Sequence, residues 1–199
     1  LNGKKYIEEI LICDDGKGMD DDILQICLQF GGGTNTDLDY VMSNKKIGKF
    51  GYGLPNASLS QCTNIEVFSW KNGNKPMKNK LNLEELRRTK SITVPPIEQF
   101  EFPNYYSDIS AVLQSAHGTI VSWKQFDRLS NTKAETIMRK SEELLGLLYR
   151  HLLDAGNKIE LISFDRTESN ELLKTDSYKV RKNDPTFLMS NTVVAKALY

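Results

Sequence analysis

Ile7-Glu8-Glu9-Ile10-Leu11-Ile12-Cys13, running directly into Asp14-Asp15-Gly16-Lys17-Gly18-Met19, is the stretch that decides the fold. Its first half becomes wholly apolar toward its end, the pattern of a central strand covered on both faces. Its second half is an acidic, glycine-bearing turn, followed by a helical pattern from Asp22 to Phe30. Asp20 to Asp22 place carboxylates at the start of that helix, where its dipole favours them. Ile23, Ile26, Cys27 and Phe30 recur at helical spacing and supply a buried face. A strand, a tight turn and a helix in succession predict an α/β fold, and open α/β folds present ligand-contacting side chains at strand ends.

Two further glycine segments follow in order. Gly48-Lys49-Phe50-Gly51-Tyr52-Gly53 opens a helical pattern from Leu54 to Cys62, and His117-Gly118-Thr119 opens the apolar strand Thr119 to Trp123. Between the first two segments, Gly31 to Lys46 is polar and irregular. A stretch of that length inside a compact domain is uncommon and usually functional, so it reads as a mobile lid. Ile65 to Trp70 and Met77 to Leu83 read as two strands joined by a hairpin turn at Asn72-Gly73-Asn74. Leu86 to Gln114, broken by Pro95-Pro96 and Pro103, reads as loops with short strands.

Each segment suits one part of a nucleotide. The Asp14 carboxylate can accept from an exocyclic base amine, and guanine offers no such donor at that position. Gly16 and Gly18 remove side chains that would collide with a base, and Met19 can lie against its flat face. Amides at a helix start, from Gly48 to Leu54, suit phosphate oxygens. The Thr119 hydroxyl can reach a base directly or through water. Each segment also has a plainer reading. Asp-Asp-Gly serves as an ordinary turn, the second segment as a flexible loop with Lys49 solvated, and Gly118-Thr119 as a strand start with His117 at its edge. Other motifs fail on spacing. Phe50 stands where a P-loop needs Ser or Thr, and Gly51-Tyr52-Gly53 leads to Asn56 where a dinucleotide fingerprint needs glycine. A calcium loop would need ligands where Gly16 and Gly18 stand.

Composition narrows the class. The chain has 199 residues, 26 basic and 26 acidic side chains and two histidines. Balanced charge gives no strong pull toward nucleic acid or anionic membrane, so nucleic acid stays open without being indicated. The three cysteines are scattered in apolar runs and read as buried free thiols. No apolar run approaches the roughly 20 residues that span a bilayer. The expectation is a soluble intracellular protein, cytoplasmic with the nucleus also open.

Toward the C-terminus, Thr132-x-x-Glu135 reads as a capping box. Ile137, Met138, Ser141, Leu144, Leu145, Leu148 and Leu152 then line one helical face that Gly156 can end. Lys158 to Phe164 reads as a strand. From Asp165 the chain turns polar, giving a domain over 1–164 and, over 165–199, a linker with the beginning of a second domain.

Taken together and in order, the three segments resemble the glycine-containing boxes of the GHKL ATPases: gyrase B, the heat-shock chaperone ATPases, histidine kinases and the mismatch-repair ATPases. Ile47-Gly-Lys-Phe-Gly-Tyr-Gly-Leu54 is most similar to the MORC-like and chaperone-like branch. The resemblance covers Ile7 to Phe164. It implies the Bergerat fold, a two-layer α/β sandwich with helices on one face of a mixed sheet. It implies ATP with magnesium, and a lid that couples nucleotide state to dimerisation or to a downstream partner. The site residues it implies are Asp14, Gly16, Gly18, Met19, Gly48, Lys49, Phe50, Gly51, Tyr52, Gly53, Leu54 and Thr119. Asp184-Pro185-Thr186-Phe187-Leu188 resembles the entry to a transducer domain. One departure stands out. The family carries a further box on a helix before the first glycine segment, with a water-activating glutamate and a magnesium-binding asparagine. Leu1 to Cys13 read as a turn and a strand, and Glu8 and Glu9 do not match that helix. The expectation is therefore a piece of a longer ATPase, with no catalytic residue or metal ligand assigned in this chain. The alternatives are an inactive interaction module that keeps the fold, and a histidine or protein kinase ATP-binding domain.

Overall fold

A computed structural model describes residues 6–32, 51–91, 93–103, 106, 114–169 and 171–193. The chain forms two compact units, one over Ile7–Ser130 and one built mainly from Asn131 onward.

The first unit is a five-stranded sheet with helices against one face. Its elements are β1 (Glu9–Asp14), α1 (Asp21–Ile26), α2 (Gly53–Leu59), β2 (Cys62–Trp70), β3 (Met77–Asn82), α3 (Leu83–Thr89), β4 (Glu98–Gln99) and β5 (Gly118–Phe126). The strand order is β1-β5-β2-β3-β4, and every pairing among these strands is antiparallel. The two-layer α/β sandwich expected from the sequence is the observed architecture. Period-two alternation sorts the side chains by face. Ile65, Val67 and Leu81 point toward the helices and pack with Leu24, Leu28 and Cys62. Phe68, Trp70 and Ile120 point the other way and meet Leu11, Cys13, Phe100 and Phe102.

Several local expectations change. β1 is an edge strand among the described strands, not a central one, since it pairs with β5 alone. Its apolar run misled because Ile12 is 45% exposed. α1 stops at Ile26, short of Phe30, because buried Asn79 of β3 donates to the carbonyls of Leu24 (2.6 Å) and Gln25 (3.1 Å). That contact satisfies orphan carbonyls at the helix end and pins α1 to the sheet. α2 ends at Leu59, and Cys62 already belongs to β2. α3 stands where a strand end and loops were expected. Asn82 caps it by accepting from the Glu84 and Glu85 amides, both at 3.0 Å. The hairpin turn falls where the sequence puts it: Asn72 and Gly73 both have positive φ, and the Asn74 amide closes on the Lys71 carbonyl at 2.9 Å. Two successive positive φ values are what an Asn-Gly type I′ turn requires. The three cysteines form no disulfide; Cys62 is buried, and burial pushes the Cys27 thiol up to about 12.

The second unit holds α4 (Ala134–Leu148), α5 (Arg150–Asp154), β6 (Glu160–Arg166) and β7 (Leu172–Lys179). α4 begins one residue later than the capping box implies: Lys133 holds the cap position, with no side-chain bond to the first turn. Met138 and Gly146 are its buried positions, whereas Leu144, Leu148 and Leu152 are exposed. β6 and β7 form an antiparallel hairpin, and the expected boundary at 164/165 lies within it. Beyond β7, Asp184 is buried and organises the following turn. It accepts from the Thr186 hydroxyl (2.5 Å) and from the amides of Thr186, Leu188 and Met189 at 2.8–3.1 Å. Gly146 lies under this segment, where a Cβ would collide with the Arg181 carbonyl.

The Thr186 hydroxyl and the amide donors outweigh burial and hold the Asp184 carboxyl down at about 2. A depressed folded-state pKa contributes stability above the unfolded value of 3.8, and that stability is lost as pH falls toward 2. Asp184→Asn should lower the melting temperature at pH 7 and flatten its dependence on pH between 4 and 2. Its NH2 would replace one of the two acceptor oxygens and face donors it cannot accept from. Circular dichroism melts over that range check this; equal pH dependence in the two proteins would refute it.

Candidate functional site

The register of β5 sets the geometry. Thr119 lies opposite Asp14 on β1 and opposite Ser69 on β2, so the three form one row across the sheet. Side chains directly opposite in an antiparallel pair lie on the same face, with Cβ atoms about 4.5–5.5 Å apart. This row continues the face on which Val67 and Val121 meet the helices.

Ser69 joins the first and third glycine segments. It is 1% exposed. Its hydroxyl accepts from the Met19 amide at 2.8 Å, donates to the Gly118 carbonyl at 3.0 Å and lies 3.2 Å from the Thr119 hydroxyl. His117 adds a second tie, with Nδ1 at 2.8 Å from the Gly16 carbonyl. A carbonyl only accepts, so Nδ1 carries the proton there. Neither residue was singled out for this role in the sequence. A serine inside an apolar strand gives one weak signal, and nothing in the sequence pairs His117 with Gly16.

Asp14 is exposed at the end of its edge strand, and its carboxylate accepts from the Gly16 amide at 2.9 Å. Partial desolvation raises its pKa, the Gly16 amide opposes the rise, and neighbouring Asp15 adds to it. The glycines have a role that precedes any base. Gly18 has φ +69°, and a Cβ there would collide with the Trp70 carbonyl oxygen. A Cβ at Gly16 would come 2.5 Å from Asp14 Oδ1, and one at Gly118 2.7 Å from the Trp70 ring. The collisions that these glycines avoid are thus with the protein itself. Met19 packs against the helix-side core. Thr119 is buried apart from a small remainder.

Of the second segment, Gly48, Lys49 and Phe50 lie outside the described residues. Gly51 has φ +67°, and its carbonyl accepts from the Gly31 amide at 3.3 Å, which joins the end of the first helical segment to the start of α2. Tyr52 is the α2 cap residue; its ring meets Phe30 with centroids 6.4 Å apart. Gly53 and Leu54 are the first two helical residues, and their amides have no intrahelical acceptor, as in any first turn. Pro55 follows with no amide to satisfy. Among the described residues, a Cβ at Gly53 would meet nothing within 4 Å, so their packing does not demand this glycine. Leu54 packs against the core.

Glu9 is not a candidate base at this row. It lies five residues from Asp14 on the same strand, hence on the opposite face, where it accepts from Tyr106 (2.8 Å) and Ser122 (2.6 Å). Among the described residues no cluster of three His, Cys, Asp or Glu side chains could hold a metal.

A family model described as histidine kinase-, DNA gyrase B- and HSP90-like ATPase matches residues 2–141. The chain belongs to this family. Its members bind ATP, so the matched region is a GHKL-type ATP-binding domain. No curated protein matches the chain. Among the described residues no helix is long and apolar enough to cross a membrane.

Gly18→Ala tests the packing argument. A non-glycine residue held at positive φ costs roughly 1–3 kcal/mol, and the clash with Trp70 adds to that. The expected result is a lower melting temperature without nucleotide; an unchanged one would show that the turn relaxes freely.

Proposed function

We propose that the Ile7–Ser130 unit binds ATP, with adenine against Asp14, Gly16, Gly18, Met19 and Thr119. Its phosphates meet the amides of Gly48 to Leu54, with Lys49 and Tyr52 alongside. The observation that carries this is the row Asp14–Thr119–Ser69, which sets a carboxylate and a hydroxyl side by side at the end of the turn carrying Gly16 and Gly18. Both groups can accept, so the pair suits the two N–H bonds of an adenine amine and disfavours a carbonyl in its place. Gly53 adds support, because a glycine at a helix start that no described residue crowds lets a phosphate approach the backbone. Magnesium, when bound, neutralises phosphate charge; its protein ligand in this family belongs to the upstream box. Closure of Gly31 to Gly53 over the nucleotide would couple binding to dimerisation or a downstream partner. Hydrolysis needs the water-activating glutamate of that same box.

Binding is tested first by melting the chain with ATP and with a non-hydrolysable analogue. A ligand specific for the folded state raises the melting temperature, by linkage; no shift at millimolar nucleotide would overturn the reading. Asp14→Ala should weaken ATP by tenfold or more in calorimetry, because a charge-assisted hydrogen bond to a ligand is worth roughly 1.5–3 kcal/mol. An unaltered affinity would remove adenine from Asp14.

The same contact predicts a pH effect. The empty site raises the Asp14 pKa through desolvation, and an amine donor would lower it on binding. Protonation of Asp14 removes the charge that strengthens its bond to the amine and adds an O–H donor, so ATP affinity should fall as pH drops through the Asp14 pKa of the free protein. Asp14→Ala, measured alongside to cancel protonation of ATP itself, should have the flatter profile. Parallel profiles would contradict the assignment.

A further inference from the structure

We infer that Ser69 is a positioning residue for nucleobase selectivity: it fixes the Thr119 hydroxyl as an acceptor. The inference rests on the reading of Asp14 and Thr119 as the adenine-facing pair.

Hydroxyl hydrogens are deduced from their partners. Ser69 has one proton to give and two lone pairs to fill. The Gly118 carbonyl, 3.0 Å away, only accepts, so it takes the Ser69 proton. The Met19 amide, 2.8 Å away, only donates, so it fills one lone pair. The Thr119 hydroxyl, at 3.2 Å, is the remaining neighbour, and the remaining lone pair of Ser69 takes its proton. Ser69 is then fully satisfied, as a side chain 1% exposed should be.

Thr119 therefore spends its proton inward and offers only lone pairs to whatever lies beside Asp14. Two neighbouring acceptors welcome an amine at purine position 6 and repel a carbonyl there. Without Ser69, the Thr119 hydroxyl could turn and donate to that carbonyl. Selectivity is a difference between two affinities. Ser69 thus acts on the preference for adenine over hypoxanthine without touching the base.

The test is a competition titration of ATP and ITP on the full chain, as wild type, Ser69→Ala, Thr119→Val and the double variant. Ser69→Cys is included because it keeps the shape of serine, with a somewhat larger γ atom, while weakening its hydrogen bonds. Ser69→Ala should weaken ATP by roughly three- to tenfold, the worth of one net hydrogen bond, with ITP unchanged or tighter. Ser69→Cys should move the ratio in the same direction. In the Thr119→Val background the Ser69→Ala change should leave the ATP/ITP ratio where it was, since the route through Thr119 is gone. A purely structural serine would weaken both nucleotides in parallel. That outcome, or a ratio change that persists in the Thr119→Val background, overturns the inference while leaving the adenine site standing. Failure of the wild type to bind ATP overturns both.

Discussion

Strand β5 pairs with β1 on one side and β2 on the other, and the register of those two ladders brings Asp14, Thr119 and Ser69 into one row. A one-residue slip in either ladder would turn that strand's side chains to the opposite face. The register is held by what lies further along the same strands. Val67 and Val121 pack under the helices, and Phe68 and Ile120 pack on the other side. The polar row thus inherits its geometry from an apolar core that takes no part in its chemistry. The Gly16 to Met19 turn is fastened to the row by three contacts: His117 on Gly16, the close approach of Gly18 to the Trp70 carbonyl, and the Met19 amide on Ser69.

Legibility in the sequence followed the range of the forces involved. The hairpin at Asn72-Gly73 was readable because its cause is local: two residues tolerant of positive φ between two strand patterns. The order of the glycine segments was readable for a similar reason, and the family match over residues 2–141 agrees with it. Element ends were less readable. α1 stops where Asn79, more than fifty residues away, reaches its carbonyls, and no local signal announces that contact. β1 looked central because its residues are apolar, yet strand position depends on pairing, which a single strand's composition does not encode.

The row that forms the candidate site was half legible. Asp14 and Thr119 stand out by type and position, but their adjacency is a property of register. Ser69 was invisible for the same reason: serine in a strand is unremarkable until its partners are known. Gly16 and Gly18 were read as positions where a side chain would meet a base. What a side chain at Gly16, Gly18 or Gly118 meets in the structure is the Asp14 carboxylate, the Trp70 carbonyl or the Trp70 ring. Close packing makes such requirements common around a site, because a turn that must present a backbone edge has to lie flat on something.

An edge strand paired through one ladder gains from anchoring by its side chains. β1 finds it on the face opposite Asp14. Glu9 accepts from Ser122 and Tyr106 and lies 3.4 Å from Lys124, which also bonds Glu66 at 2.8 Å. Glu66 in turn faces Lys78 at 3.8 Å, and Lys78 bonds Glu98 at 2.7 Å. Burial alone would lower the Lys124 pKa; the Glu66 hydrogen bond and the charges of Glu9 and Glu66 reverse this and raise it. The chain of ion pairs thus links β1, β5, β2, β3 and β4 in sheet order. Isolated surface pairs contribute little, but a partly buried network with shared partners restricts how its strands can shift. Leu11 and Cys13 add apolar contact on the same face. Asp14 can thus stay exposed while the strand behind it is held from its opposite face.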